Sequence, residues 1–444
     1  MTDQTTTTRA SSLSRRRFLI GAGVTAAATG LGMTGCSPAS APPGGADPTS
    51  ADLQMTWWGN PTRDKATTAA IAAYTTANPG VTISPQPGEF ASYWDRLATQ
   101  TAGKTMPDVI QHEVGYLSEY AQRGSLLELE KYGLDLSKFA QGTTDSGQVQ
   151  GTLYGVNAGL NTPILMASPA VFEEAGVELP DDTTWTWEDA LEVAAQLTSR
   201  TGGKVYGMTT FFGSDAYFGA YVRQDGKELF TENGLGFEPG DVAEWFDLMR
   251  RYVDAKALPS ASRIGEEAGK SLDQSALVLG TAAISPYWSN QVQSVNDASG
   301  QTMRILRFPS RSGRATERQA WYKAAMLWAA SASSSNPEAA VAVINWWVNS
   351  MECADICLAE RGIPANTEVL EAIRPKLSEA QQSVARFIAD IEPELGTTPI
   401  VVPPGGSTLP LVLTRLSTEV LFGRTSAKDA GQQVVDEVSS NLTT

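Results

Sequence analysis

The residues with the most chemical reach in this sequence are crowded into one short stretch. Gln111-His112-Glu113, with Tyr116 close behind, directly follows the apolar pair Val109-Ile110. A histidine next to a glutamate opens the HExxH pattern of zinc hydrolases, but Tyr116 holds the second histidine's place. His112 is the one histidine in the chain, so a multi-histidine zinc site and a Ser-His-Asp triad are both excluded. Gly103-Lys104-Thr105 has the ending of a phosphate-binding loop, yet Ala98 stands where the first glycine must be. Glycoside hydrolysis needs only two carboxylates at a set separation. With 49 acidic residues that reaction stays open as an alternative. No metal and no cofactor is expected.

The elements around this stretch give it a position. Met106-Pro107-Asp108 leads into Val109-Ile110, an apolar run suited to a strand buried on both faces. A helix is expected from about Leu117 to Gly124, a glycine suited to the left-handed residue after a helix. Strand, polar loop and helix form the repeating unit of an open α/β sheet, whose ligands bind outside the carboxyl ends of the strands. His112, Glu113 and Tyr116 are therefore expected at a ligand.

Upstream the same alternation recurs. Leu53 to Trp58 reads as a strand ending at Gly59-Asn60, and a helix follows to Ala77, stopped by Asn78-Pro79-Gly80. Val81 to Ile83 is a second strand and Tyr93 to Ala102 a second helix, which together imply a largely parallel sheet. Downstream, Ser168-Pro169 and Gly176 bracket a helix, Thr186 with Asp189 forms a capping box, and Asp241 with Glu244 is expected to cap in the same way. Pro286 is expected to end the short strand Ala282 to Ser285. Cys353 and Cys357, one helical turn apart, read as two buried thiols, because that spacing suits a disulfide poorly.

A chain of 444 residues has room for two cores, since single cores rarely exceed about 250–300 residues. Its formal charge is −16, and four arginines with one aspartate lie in the first 35 residues, so the remainder is more acidic still. Such a surface argues against a nucleic-acid partner and against anionic lipid as a binding target. The first 35 residues read as an address. Ser14-Arg15-Arg16-Arg17-Phe18-Leu19 resembles a twin-arginine export signal, and Met33-Thr34-Gly35-Cys36 resembles a lipoprotein cleavage box. Residues 1–35 are thus expected to be a signal peptide, and 36–50 a flexible tether lipidated at Cys36. Its fourteen residues after the cysteine would reach about 20 Å as a random coil.

From about Leu53 onward the chain resembles the extracellular solute-binding proteins of family 1, the sugar-importer group that includes maltose-binding proteins. AGKTMPDVI with YLSEYAQRGSLLEL, PDDTTWTWEDA, FFGSDAYFGAYVRQDGKELF, GTAAISPYWSNQV and RGIPAN carry the likeness, in the family's order. The resemblance implies an α/β, two-lobed periplasmic-binding-protein type II fold with a hinge and a ligand cleft between the lobes. Residues 51–159 with 320–364 would form the first lobe, and 160–319 with 365–444 the second. Asn60 and Arg63 fill the loop after the first strand, where the family contacts ligand. Asp215 and Tyr217 fall where an acid and an aromatic contact sugar, and Trp288 falls at a sugar-stacking position. Asn161 and Trp321 flank two crossings between lobes, and Gly406 lies in a loop that often adds further contacts. Sugars offer C–H faces to aromatic rings and hydroxyls that need paired donors and acceptors, which this set supplies. The implied function is a monomeric substrate-binding lipoprotein that hands a carbohydrate to the permease subunits of an ABC importer, held at the membrane by its lipid anchor alone. It would do no chemistry itself.

Overall fold

The computed structural model describes residues 50–442 apart from Asn60, Glu232, Asn233 and Ala268. The expected signal peptide, Cys36, residues 37–49 of the tether and the expected ligand residue Asn60 lie outside the described residues.

Strand β1 (Ala51–Trp58) is central to the first sheet, and its last four residues are buried on both faces. Helix α1 (Pro61–Ala77) follows and buries Thr67, Ala70, Ile71 and Tyr74, the 3–4 spacing of a single stripe. The pattern continues through β2 (Val81–Gly88), α2 (Phe90–Ala102), β3 (Val109–His112) and α3 (Val114–Gln122). Gly124 follows α3 at φ 64°, as its place after a helix requires. With β4 (Gly155–Asn161) and a returning strand Lys323–Ala330, the sheet order is β2, β1, β3, Lys323–Ala330, β4. The returning strand alone runs against the others.

The second sheet contains β5 (Pro163–Ala167), β6 (Tyr206–Met208), β7 (Ala282–Trp288) and β8 (Arg304–Leu306), in the order β8, β5, β7, β6. The returning strand Lys323–Ala330 is β9 in chain order. Thr162 alone separates β4 from β5, so the chain steps from one sheet to the other across a single residue. Each sheet has its own apolar core. Leu165, Phe212, Phe218, Trp245, Tyr252, Leu413 and Val434 lie in the second. The first sheet is covered on one face by a cluster containing Trp57, Ile71 and Trp328, and on the other by one containing Tyr93, Leu117 and Leu327.

Several expectations shift by a few residues for identifiable reasons. Gln111 and His112 belong to β3 rather than to a loop, because β9 pairs Leu327 with His112 and Trp328 with Gln111. Helix α3 accordingly begins at Val114, three residues before Leu117. Strand β7 runs through Pro286: its pairing with β6 stops at Ile284, so the missing Pro286 N–H costs no ladder bond. The helix Pro239–Asp254 is capped by Glu238, whose N–H donates to Asp241 Oδ2 (2.7 Å), and Glu244 instead accepts from Tyr221 and Arg311. The caps at Ser168 and Thr186 form as expected. Cys353 and Cys357 are free thiols, the second only half-buried.

Backbone meets backbone where the chain crosses between sheets. Leu160 N–H donates to Ile363 O (2.6 Å) and Ile363 N–H to Leu160 O (3.3 Å). A Cβ on Gly159 would lie 2.1 Å from Arg361 O, and Gly362 adopts φ 107° with Leu160 O 2.6 Å from its own Cβ position. Both glycines are required by contact with main chain, which cannot move aside. Gly159→Ala is therefore expected to cost about 3 kcal/mol of folding stability by overpacking. Gly265→Ala, on the exposed helix Ala261–Glu267 with open space around it, should be neutral or gain up to about 1 kcal/mol. Urea unfolding of both variants checks the pair, and equal midpoints would refute the contact argument.

Candidate functional site

The carboxyl ends of β1, β2 and β3 lie along one edge of the first sheet, and four side chains from that edge form an aromatic cluster. Trp58 ends β1, while Phe90 and Trp94 stand at the start of α2, one turn apart. Trp58 meets Phe90 and Trp94 edge-on or tilted, each at 5.6 Å between ring centroids, and Tyr116 of α3 lies 4.3 Å from Trp94. Phe90 is 52 % exposed, so the cluster offers an apolar face to solvent.

Glu113 occupies the N-cap position of α3, but its carboxylate makes no cap bond. It accepts instead from Lys323 Nζ at 2.7 Å. Lys323 is the first residue of β9, and its ammonium lies 4.9 Å from the ring centre of Trp288, the last residue of β7. Burial opposes the lysine's charge, but Glu113 and Asp215 outweigh it and hold its pKa above the usual range. Asp215 opens the helix Asp215–Arg223, and its pKa is raised, chiefly by burial. The Lys323 charge opposes that rise, and the Glu113 charge adds to it. Lys323 thus acts on each of Glu113, Asp215 and Trp288, and the four come two from each sheet's half of the molecule. Both side chains of the Glu113–Lys323 pair are mostly buried, so the ammonium and the carboxylate offset each other's lost hydration.

Other expected ligand residues go elsewhere. Tyr217 is 5 % exposed, and its hydroxyl donates to Ile164 O within the second sheet's core. Trp321 is buried against Phe308 and the Arg223 guanidinium. It borders a cavity of about 1340 Å³ lined also by Ser118, Asp145, Gln148, Tyr322 and Thr398. None of Glu113, Asp215, Lys323 or Trp288 lines this cavity. Its walls are loop segments for the greater part, residues 395–403 above all, with Ser118 and Gln122 of α3. Arg63 is tied to Glu360 (2.8 Å) and to Trp58 O (3.1 Å). Gly406 is buried, with Phe230 and Val402 where its Cβ would be. Asn161 Oδ1 accepts from Ser289 Oγ (2.9 Å), Thr162 N (3.1 Å) and Asn290 N (3.2 Å), which pins the residues after Trp288 to the crossing.

His112 is also buried. Its ring lies between Trp94 (5.3 Å) and Tyr120 (4.9 Å), and Nδ1 is 3.0 Å from Glu113 O. A carbonyl only accepts, so Nδ1 carries a proton, and burial, which lowers the pKa to about 4, keeps the imidazole neutral near pH 7.

Phe90, Trp94 and Lys323 were not anticipated from the sequence. The two aromatics follow the carboxyl end of β2, the same position that singled out His112 after β3. Lys323 is the sole charge between Arg318 and Glu338. A charge in so apolar a run needs a partner, and that was the available signal.

A family description, bacterial extracellular solute-binding protein, matches residues 69–385. The chain belongs to that family. Among solved structures it is similar to a periplasmic solute-binding protein of Pectobacterium atrosepticum, at 20 % identity and TM-score 0.78, over 88 % of this chain and 98 % of that one. A periplasmic oligogalacturonide-binding protein of Yersinia enterocolitica matches at 20 % identity and TM-score 0.75 over the same shares. The GacH receptor of Streptomyces glaucescens, solved with acarbose, matches at 18 % identity and TM-score 0.70, over 89 % of this chain and all of that one. These likenesses establish the two-lobed fold of periplasmic solute-binding proteins.

Burial lowers the His112 pKa to about 4. Unfolded, the imidazole takes its proton near 6.5, so between 6.5 and 4 the unfolded chain binds more protons. This group's contribution to stability is complete above pH 6.5 and is lost on acidification toward pH 4, by about 3 kcal/mol. Proton NMR of the one imidazole should show no titration above pH 5. A midpoint near 6.5 would place His112 in water.

Proposed function

We propose that this protein captures a carbohydrate between its two lobes and delivers it to the permease of an ABC importer. The observation that carries the reading is the meeting of Glu113 and Lys323 from the first sheet's side with Asp215 and Trp288 from the second, beside the exposed aromatic edge of Phe90 and Trp94. Rings supply faces for sugar C–H groups, and the ionic groups supply strong partners for hydroxyls. In this reading the lobes comprise 51–159 with 320–364, and 160–319 with 365–444. Lipidation at Cys36 holds the protein outside the cell at the membrane, and the cleft does no chemistry. The oligogalacturonide and acarbose ligands of two similar structures support a saccharide, and family membership supports an extracytoplasmic place.

A thermal-shift screen with neutral, acidic and amino saccharides tests the reading. A ligand at 100 times its dissociation constant should add about 2.7 kcal/mol of stability and be recovered intact. Bond cleavage that disappears on mutating a carboxylate pair would instead establish a glycoside hydrolase. Trp288→Ala should weaken binding about thirtyfold, the loss of an anchor worth about 2 kcal/mol. Tyr217→Phe should leave affinity unchanged while costing about 1–3 kcal/mol of stability, because Ile164 O loses its donor. Trp288→Ala with parental affinity and a much lower melting temperature would show a core residue.

A further inference from the structure

The charges around the cleft limit what a saccharide there can carry. Three helix N-termini stand near the strand ends, and a helix N-terminus ordinarily favours an anion. Each already has an acidic residue of its own: Glu89 at the N-cap of α2, Glu113 at the N-cap of α3, and Asp215 at the first position of Asp215–Arg223.

The cations nearby already have hydrogen-bond partners, and for Lys323 and Arg63 these are carboxylates. Lys323 Nζ is 2.7 Å from Glu113 and also feels Asp215. Arg63 lies on Glu360, and Arg361 donates from Nε to Gln111 Oε1 at 2.9 Å. Arg96 donates to Pro87 O and Thr56 Oγ1. At the point where the two sheets' ends meet there are two carboxylates and one ammonium.

We infer that the cleft takes saccharides without a carboxylate, uncharged or amino sugars, and rejects uronic acids. The inference rests on the carbohydrate reading above. A uronate entering between Glu113 and Asp215 would lose its hydration and meet like charge, with the nearby ammonium already neutralised. Hydroxyls and ammonium groups, by contrast, donate to carboxylates that are already in place.

Matched oligosaccharides of galactose, galacturonic acid and galactosamine, and of glucose, glucuronic acid and glucosamine, test this by thermal shift and calorimetry on the mature protein. A neutral or amino member should bind at least tenfold more tightly than its uronic counterpart. Glu113→Gln, which frees the ammonium, should narrow that gap at least tenfold. Lys323→Gln should widen it and favour the amino sugar, so the two variants move in opposite directions and a shared loss of folding cannot imitate them. A uronic member binding as tightly as its neutral counterpart overturns the inference and leaves the carbohydrate reading standing. Melting unmoved by every member of all three classes overturns that reading, and the inference with it.

Discussion

The contact on which the rest of the structure depends is main chain against main chain, where Gly159 and Leu160 touch Arg361, Gly362 and Ile363. No side chain fits between these segments, so their separation is fixed by two hydrogen bonds and by van der Waals contact. Pairing then carries the constraint outward. Lys323 sits opposite Asn161, and Trp288 opposite Pro163, so both lie within two residues of the crossing. The ammonium and the indole meet because the crossing holds the strands that bear them at one spacing. Asn161 adds a side-chain acceptor with three donors, which fixes Ser289 and Asn290 just beyond the indole.

Arg361 extends the same unit into the first sheet. It is buried, and burial lowers its pKa to about 10, which leaves it charged at neutral pH. A buried charge is tolerated only when its donors are used. Here Nε reaches Gln111 Oε1 and another nitrogen reaches Thr67 Oγ1 (2.8 Å), while Gln111 Nε2 donates to Trp58 O (3.0 Å). The guanidinium also lies 5.0 Å from the ring centre of Trp328 and 5.4 Å from that of Trp347. The ends of β1 and β3, helix α1 and the crossing are therefore one hydrogen-bonded body. Its cost in desolvated charge is met by position: it aligns the edge that carries Trp58 and Glu113.

Much of this could be read from the sequence where local chemistry decides the outcome. The alternation through β1 to α3 followed from period and from breakers, and the caps at Ser168 and Thr186 from residue type alone. The extension of β3 through His112 could not be read locally, because it is set by pairing with β9 more than 200 residues later. Pro286 in a strand escaped for the same reason, since only the end of β6 makes its missing N–H harmless. At the site, Glu113, Asp215 and Trp288 come together, while Tyr217 is claimed by a buried carbonyl that no reading of its neighbours reveals. Lys323 was legible in principle as an isolated charge, but its partner lies on a different strand end.

The uneven attachment of the site's parts bears on how a ligand would be held. Trp288 is fixed at the pivot, through its pairing with Pro163 and through the bonds from Ser289 and Asn290 to Asn161. Phe90 and Trp94 belong instead to the strand-end edge of the first sheet, on a helix whose first residue is half exposed and whose N-cap makes no side-chain bond. Were ligand capture to rotate the lobes about the crossing, Trp288 would move little and the Phe90 edge more. A sugar resting on Trp288 would then be bound with little ordering of that ring, and the distal aromatics would close over it. Ordering side chains on binding costs about 0.5–1.5 kcal/mol each, so a floor already held rigid is the arrangement that loses least affinity. The glycines at the crossing, which look unrelated to recognition, are by this argument what would make the indole an effective anchor for the proposed ligand.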